Sequence, residues 1–194
     1  MLRLKEKYRK EVVPFMVKEF AYKTIMAVPK IEKVVLNMGV GRRLVGQGLK
    51  ERKKSLVPIL KDLMAITGQH ALLTKAHRSI SSFKVRAGVI VGIKISMRGQ
   101  RACDFLDRLI HIALPRSRDF RGIDSKSIDR SGNLTLGIKE HIIFPEVSAE
   151  RDQDILSFEI TIVTSSKTRK EGLALFKALG FPIKKEKKDK NIKV

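Results

Sequence analysis

The apolar positions of this chain recur at two spacings, one helical and one extended. Residues 5–21 carry Tyr8, Val12, Phe15, Met16 and Phe20 near one face, predicting a helix kinked or weakened at Pro14. After Pro29 the period drops to two: Val34, Leu36 and Met38 alternate with Lys33, Val35 and Asn37, as in a half-buried strand. Gly39, Gly41, Gly46 and Gly48 then predict a mobile connection. Residues 49–67 return to helix, with Leu56, Leu60 and Leu63 inward and Gly68 as the stop. Pro58 is awkward there, so Ser55 is expected to cap a second segment that holds Pro58 in its first turn. A short strand follows at 69–75, then a polar, basic connection. In the clearest strand, Val89, Val91, Ile93, Ile95 and Met97 face one way and Ile90, Gly92, Lys94, Ser96 and Arg98 the other. Residues 101–114 read as helix, ended by Pro115. Residues 115–133 show no periodicity, the mark of a functional or disordered loop. Extended pieces are expected at 134–138 and 142–144, a last strand around Leu156–Ile162, and a closing helix from Ser166 to Leu179 before Gly180 and Pro182.

From residue 31 the order is β-α-β-β-α-β and a helix. It predicts an α+β fold: an antiparallel sheet with helices on one face, a split-βαβ core of the ferredoxin and RNA-recognition type, an N-terminal helix and long loops. Such a sheet leaves its other face free. Lys33, Asn37, Lys94, Ser96 and Arg98 stand opposite the apolar rows and are candidates for that face. Residues 1–183 are expected to form a single RNA-binding domain and 184–194 a basic, disordered tail.

Charge decides what such a face would meet. The 194 residues hold 41 Lys and Arg against 20 Asp and Glu, a net charge of +21. The tail has six Lys against Glu186 and Asp189, so its +4 leaves +17 on the body. Between Asp62 and Asp104 there is no acidic residue, but Lys75, Arg78, Lys84, Arg86, Lys94, Arg98 and Arg101 all fall there. A solvated face mixes signs; a one-sign stretch inside a folded body fits a phosphate-facing surface. No apolar run approaches a membrane span, the charged N-terminus is unlike a secretory signal, and one cysteine suits a reducing compartment.

Chemistry-bearing motifs are scarce. GVGRRLVG lacks the third glycine of a dinucleotide loop, since Leu44 stands there, and neither Gly46 nor Gly48 precedes a lysine. His70, His77, His111 and His141 form no i, i+4 pair, and Glu140–His141 is expected to be a solvent-facing doublet. Asp104 should raise the Cys103 pKa, and Asp152 and Asp154 fall in a loop. No cofactor, metal site, small-molecule substrate or enzyme is expected. With no Trp and two Tyr, base stacking gives way to phosphate and 2′-hydroxyl contacts. Phe83 is the one ring placed for exposure in a basic loop; the competing reading anchors that loop to the core.

The blocks PKIEKVVLNMGVG, ITGQHALLTKAHRSISSFKVRAG, MRGQRACDFLDRLIHIALPRSRDFRG and KEHIIFPE, in this order, resemble the bacterial large-subunit ribosomal protein L-five family over residues 5–183. The lysine-rich extension after Lys185 departs from the usual family end. The resemblance implies a structural constituent of the large ribosomal subunit, in the cytoplasm or an organelle, that binds 5S rRNA and attaches it to large-subunit rRNA in the central protuberance. The strands carrying Asn37 and carrying Gln69, Thr74 and Lys75 resemble the RNA-facing surface. The loop Ala76–Gly88 resembles one that reaches the P-site tRNA, with Arg78, Ser79, Phe83, Lys84 and Arg86 as contacts. The loop from Arg116 through Arg118 and Arg121 to Gly122, with Arg130 in 129–133, resembles the region near a small-subunit head protein at an intersubunit bridge. No role carries over to His70, His77 or Gln47. A free-standing, non-specific RNA-binding protein or RNA chaperone is the alternative.

Overall fold

A computed structural model describes residues 3–44, 49–83, 85–118, 120–147 and 155–184. At its centre is β1 (Ile31–Gly39), whose Val34, Leu36 and Met38 are buried while Asn37 and Gly39 are exposed. It pairs antiparallel with β3 (Ile90–Arg98) on one side and β5 (Phe158–Thr164) on the other. The edges are β2 (Leu72–Lys75), beside β3, and β4 (Leu134–Ile138), beside β5, giving the order β2-β3-β1-β5-β4. The expected split-βαβ sheet is therefore present, widened by β4 as a fifth strand. Ile93, Ile95 and Met97 of β3, Phe158, Ile160 and Ile162 of β5, and Leu134, Leu136 and Ile138 of β4 continue one buried face.

The helices close over that face. A first run, α1 (residues 4–20), is α-helical over Leu4–Lys7 and Val13–Phe20, with a π turn at Tyr8–Val12 between them. A third run, α3 (residues 99–116), repeats the device, with a π turn at Leu109–Ala113 between Gly99–Arg108 and Leu114–Arg116. In each run a proline, Pro14 or Pro115, stands two residues past the π turn. Its ring would collide with the carbonyl four residues back, and an extra residue in that turn opens the space. Pro115 thus sits inside α3 rather than ending it. The widened turn also alters the phase of α1. Its core-facing positions step by four, through Leu4, Tyr8, Val12, Met16 and Phe20, and Phe15, expected inward, is 46% exposed.

Between them, α2 (Leu49–Thr67) runs unbroken through Pro58, so Ser55 does not begin a second segment. The buried stripe Leu56, Ile59, Leu63 and Ile66 joins it to the common core and offsets the lost hydrogen bond. Gly68 stops it at φ +65°. Gly39 ends β1, and Gly41–Leu44 form a helical turn rather than a loose link; Gly46 and Gly48 lie outside the described residues. The last helix, α4 (Arg169–Leu179), begins later than expected because Thr168 caps it: Thr168 accepts from the Glu171 N–H, and Glu171 reaches back to the cap.

The segment 115–133 is built rather than shapeless. Ile123 and Ile128 are buried, and Asp124 caps a 3-10 turn at Ser125–Ser127. The Asp129 carboxylate accepts from the Asn133 backbone N–H at 2.7 Å and side-chain amide at 2.8 Å. Asn133 Oδ1 in turn accepts from the Thr164 N–H at 3.0 Å. Gly132 (φ +79°) sits so close to α4 that a Cβ on Gly172 would lie 2.5 Å from its Cα. Residues 142–144, expected extended, belong to a 3-10 turn at His141–Ile143 and its C-terminal end.

Candidate nucleic-acid interface

Strand pairing converts the alternation of single strands into rows across the open face. One row runs Leu72, Lys94, Asn37, Glu159, Gly137; the next runs Ser96, Val35, Thr161, Thr135; a third joins Arg98, Lys33 and Val163. Lys94, Asn37 and Arg98 are exposed, while Ser96 and Lys33 are half-buried. The five residues read from alternation therefore share one surface. Gln69 joins it by donating from Nε2 to the Ser96 carbonyl at 3.1 Å. Thr74 is half-buried beside Gly92, where a Cβ would lie 2.7 Å from Thr74 Oγ1, and Lys75 follows a register shift at the strand end. Gly92 thus makes room for the Thr74 hydroxyl.

Sequence reasoning missed part of this surface. Leu72 is 66% exposed beside Lys94, and Glu159 places a carboxylate beside Asn37. Glu159 and Thr161 are legible as non-core positions, but their neighbours depend on pairings between distant parts of the chain. Ile25 and Met26, 70% and 96% exposed on a 3-10 turn before β1, carry no periodic signal.

The stretch 76–88 stands out as an arm. Ala76 and Val89 pair at its base through a 2.8 Å bond, and Ile80 and Val85 exchange bonds of 2.9 and 3.2 Å near its tip. Ser79 Oγ accepts from the Ala87 N–H at 2.9 Å. Phe83, on the 3-10 turn Ser81–Phe83, is 70% exposed, which rules out its anchoring role. Arg78, Ser79 and Arg86 are exposed too; Lys84 lies outside the described residues.

At the β4 edge, Arg116, Arg118, Arg121 and Arg130 carry positive charge, and all four are exposed. The chain also makes its last described pairing at this end. Ile123 donates to the Pro182 carbonyl, and Lys184 donates to the Ile123 carbonyl, both at 2.8 Å.

Among the described residues no three metal-binding side chains converge, and no helix is long and apolar enough to cross a membrane. His141, expected at the surface, is 2% exposed. Its Nδ1 accepts from the Leu156 N–H at 3.2 Å, which puts the ring proton on Nε2, 3.9 Å from Asp62 Oδ2. Burial lowers its pKa against the opposing pull of Asp62, with Arg43 adding to the lowering, so the ring is a neutral core group. The Cys103 thiol is pushed up, first by burial and then by Asp104 and Asp107, against Lys5. It is no activated nucleophile. Asp152 and Asp154 lie outside the described residues.

Residues 24–86 match the family model described as ribosomal protein L5, and residues 90–183 match the model for the C-terminus of that same ribosomal family. The chain is 47% identical to large ribosomal subunit protein uL5 of Caldanaerobacter subterraneus subsp. tengcongensis over 185 residues, 95% of this chain and 100% of that relative. It is 48% identical to the uL5 of Thermoanaerobacter sp. and 45% to that of Marinomonas sp., with the same shares covered. The chain belongs to the ribosomal protein L5 family. As a member of this bacterial family it is a structural, non-enzymatic, rRNA-binding protein of the large subunit, located in the cytoplasmic ribosome. The two matched stretches do not form separate sheets. β1 and β2 come from the first, β3, β4 and β5 from the second, and they interleave.

Proposed function

We propose that this L5 family protein binds 5S rRNA on the open face of its sheet and seats it against large-subunit rRNA in the central protuberance. Residues 1–183 act as one RNA-binding unit. Lys33, Lys75, Lys94 and Arg98 neutralise phosphates, while Asn37, Gln69, Thr74 and Ser96 set the register by directional hydrogen bonds. The arm at 76–88 reaches the P-site tRNA with Arg78, Ser79, Phe83, Lys84 and Arg86. The end carrying Arg116, Arg118, Arg121 and Arg130 takes part in a bridge to a protein of the small-subunit head.

The observation that carries the reading is the one-sided sheet: its apolar rows lie under the helices, and its polar and cationic rows lie open on the other side. Such a face suits a folded RNA with a fixed shape. The test is a competition experiment. Binding of the full chain to 5S rRNA is expected to survive excess tRNA and duplex DNA. Equal loss to both competitors would replace this reading with that of a non-specific RNA binder.

A further inference from the structure

The edge of a sheet presents unpaired backbone groups, and β4 is such an edge. Among the described residues its outer side is covered only at the start. Ile128 bridges Leu134, and the Asp129 N–H donates to the Asn133 carbonyl at 2.9 Å. That bond turns the backbone of Asn133 and Thr135 outward, and the two-residue repeat turns the N–H and C=O of Gly137 outward as well. Among the described residues no hydrogen bond reaches those two groups. In front of them lies a groove of about 550 Å³ between β4 and the 117–127 segment. Leu114, Phe120 and Ile123 give it an apolar wall. Arg118, Arg121, Lys139 and Lys184 surround it, against Asp124 and Glu140.

We propose that this edge is a docking site for an extended protein segment with acidic flanks, which adds a strand to β4 and pairs its backbone with Gly137. The inference rests on the reading that this end takes part in the intersubunit bridge, and it specifies the partner's chemistry there. A strand matches the alternating N–H and C=O of an edge, whereas RNA phosphates only accept and would meet the outward carbonyls with like charge. The apolar wall suits alternate side chains of a strand, and the excess of cations suits carboxylates at its ends. The chain's own tail, with five lysines beyond Lys184, has the wrong charge for Arg118 and Arg121.

The probe is a fluorescein-labelled nonapeptide of alternating valine and threonine with glutamates at both ends, added to the full chain. Binding is expected, with slowed hydrogen exchange at the Gly137 amide. Gly137→Pro removes only an outward N–H, which an edge strand tolerates, and should weaken binding by about tenfold with little change in melting temperature. Gly137→Ala, whose Cβ meets no atom within 4 Å, should bind as the parent does. Replacing Arg118 and Arg121 together by Glu should also weaken binding by about tenfold. The proposal is overturned by absent binding, by binding that leaves the Gly137 amide unprotected, or by displacement of the peptide by single-stranded RNA. An amide already protected in the free chain would mean that the tail or a second copy holds the edge, which overturns it equally. Subunit joining with large subunits carrying each variant separates the two ideas. Normal joining despite lost peptide binding removes the bridge reading and leaves the strand site. Impaired joining by the arginine variant without peptide binding does the reverse.

Discussion

Glycine and histidine show how much a single side chain decides here. Gly172 meets the backbone of Gly132 so closely that a methyl group must push two segments apart. Gly172→Ala should therefore lower stability by about 1–3 kcal/mol, read from the urea midpoint. Gly39→Ala, whose Cβ meets nothing within 4 Å, should cost less than about 1 kcal/mol. His141 is neutral in the fold because burial lowers its pKa below the ordinary 6.5. Between the two values the unfolded chain holds a proton that the folded chain refuses. Stability should thus fall as pH drops through about 6.5 and stop falling below the folded-state value. Melting temperatures from pH 7.5 to 5 should show this slope, and His141→Gln should flatten it. On the open face, Asn37→Ala should weaken 5S rRNA binding with little change in its salt dependence, whereas Lys75→Ala should reduce the salt slope by roughly one unit. Identical behaviour of the two variants would remove the division between register and charge.

At the scale of elements, the strands are legible because alternate burial writes a period of two into β1, β3 and β5. Their neighbours are not, since pairing joins residues far apart and leaves no local trace; Glu159 beside Asn37 is the example. The π turns are hidden for another reason. Pro14 and Pro115 announce a break, and only the packing of α1 and α3 decides that a wider turn absorbs each proline. Segment 115–133 escapes a periodic reading because its order comes from Asp129, Asn133 and Gly132, whose hydrogen bonds and close contact have no periodicity. The charged arm at 76–88 is visible as polar and basic, but nothing local to its sequence decides whether Phe83 points out or in. Because the arm's inner bonds pair its own two sides, replacing residues 77–87 by a short turn should spare 5S rRNA binding and alter chemical footprints of P-site tRNA on the ribosome.

The whole molecule is a five-stranded plate with one buried side and one open side. Its helices lie over one side, and the arm lies near one edge of the sheet while β4 forms the other. The strand order has a consequence for biosynthesis. β1 leaves the ribosome early but occupies the middle, and its partners β3 and β5 are translated afterwards. A chain paused before Phe158 has one side of β1 unpaired and one flank of the open face missing. The open face therefore becomes one continuous five-stranded surface only after β5 has been translated.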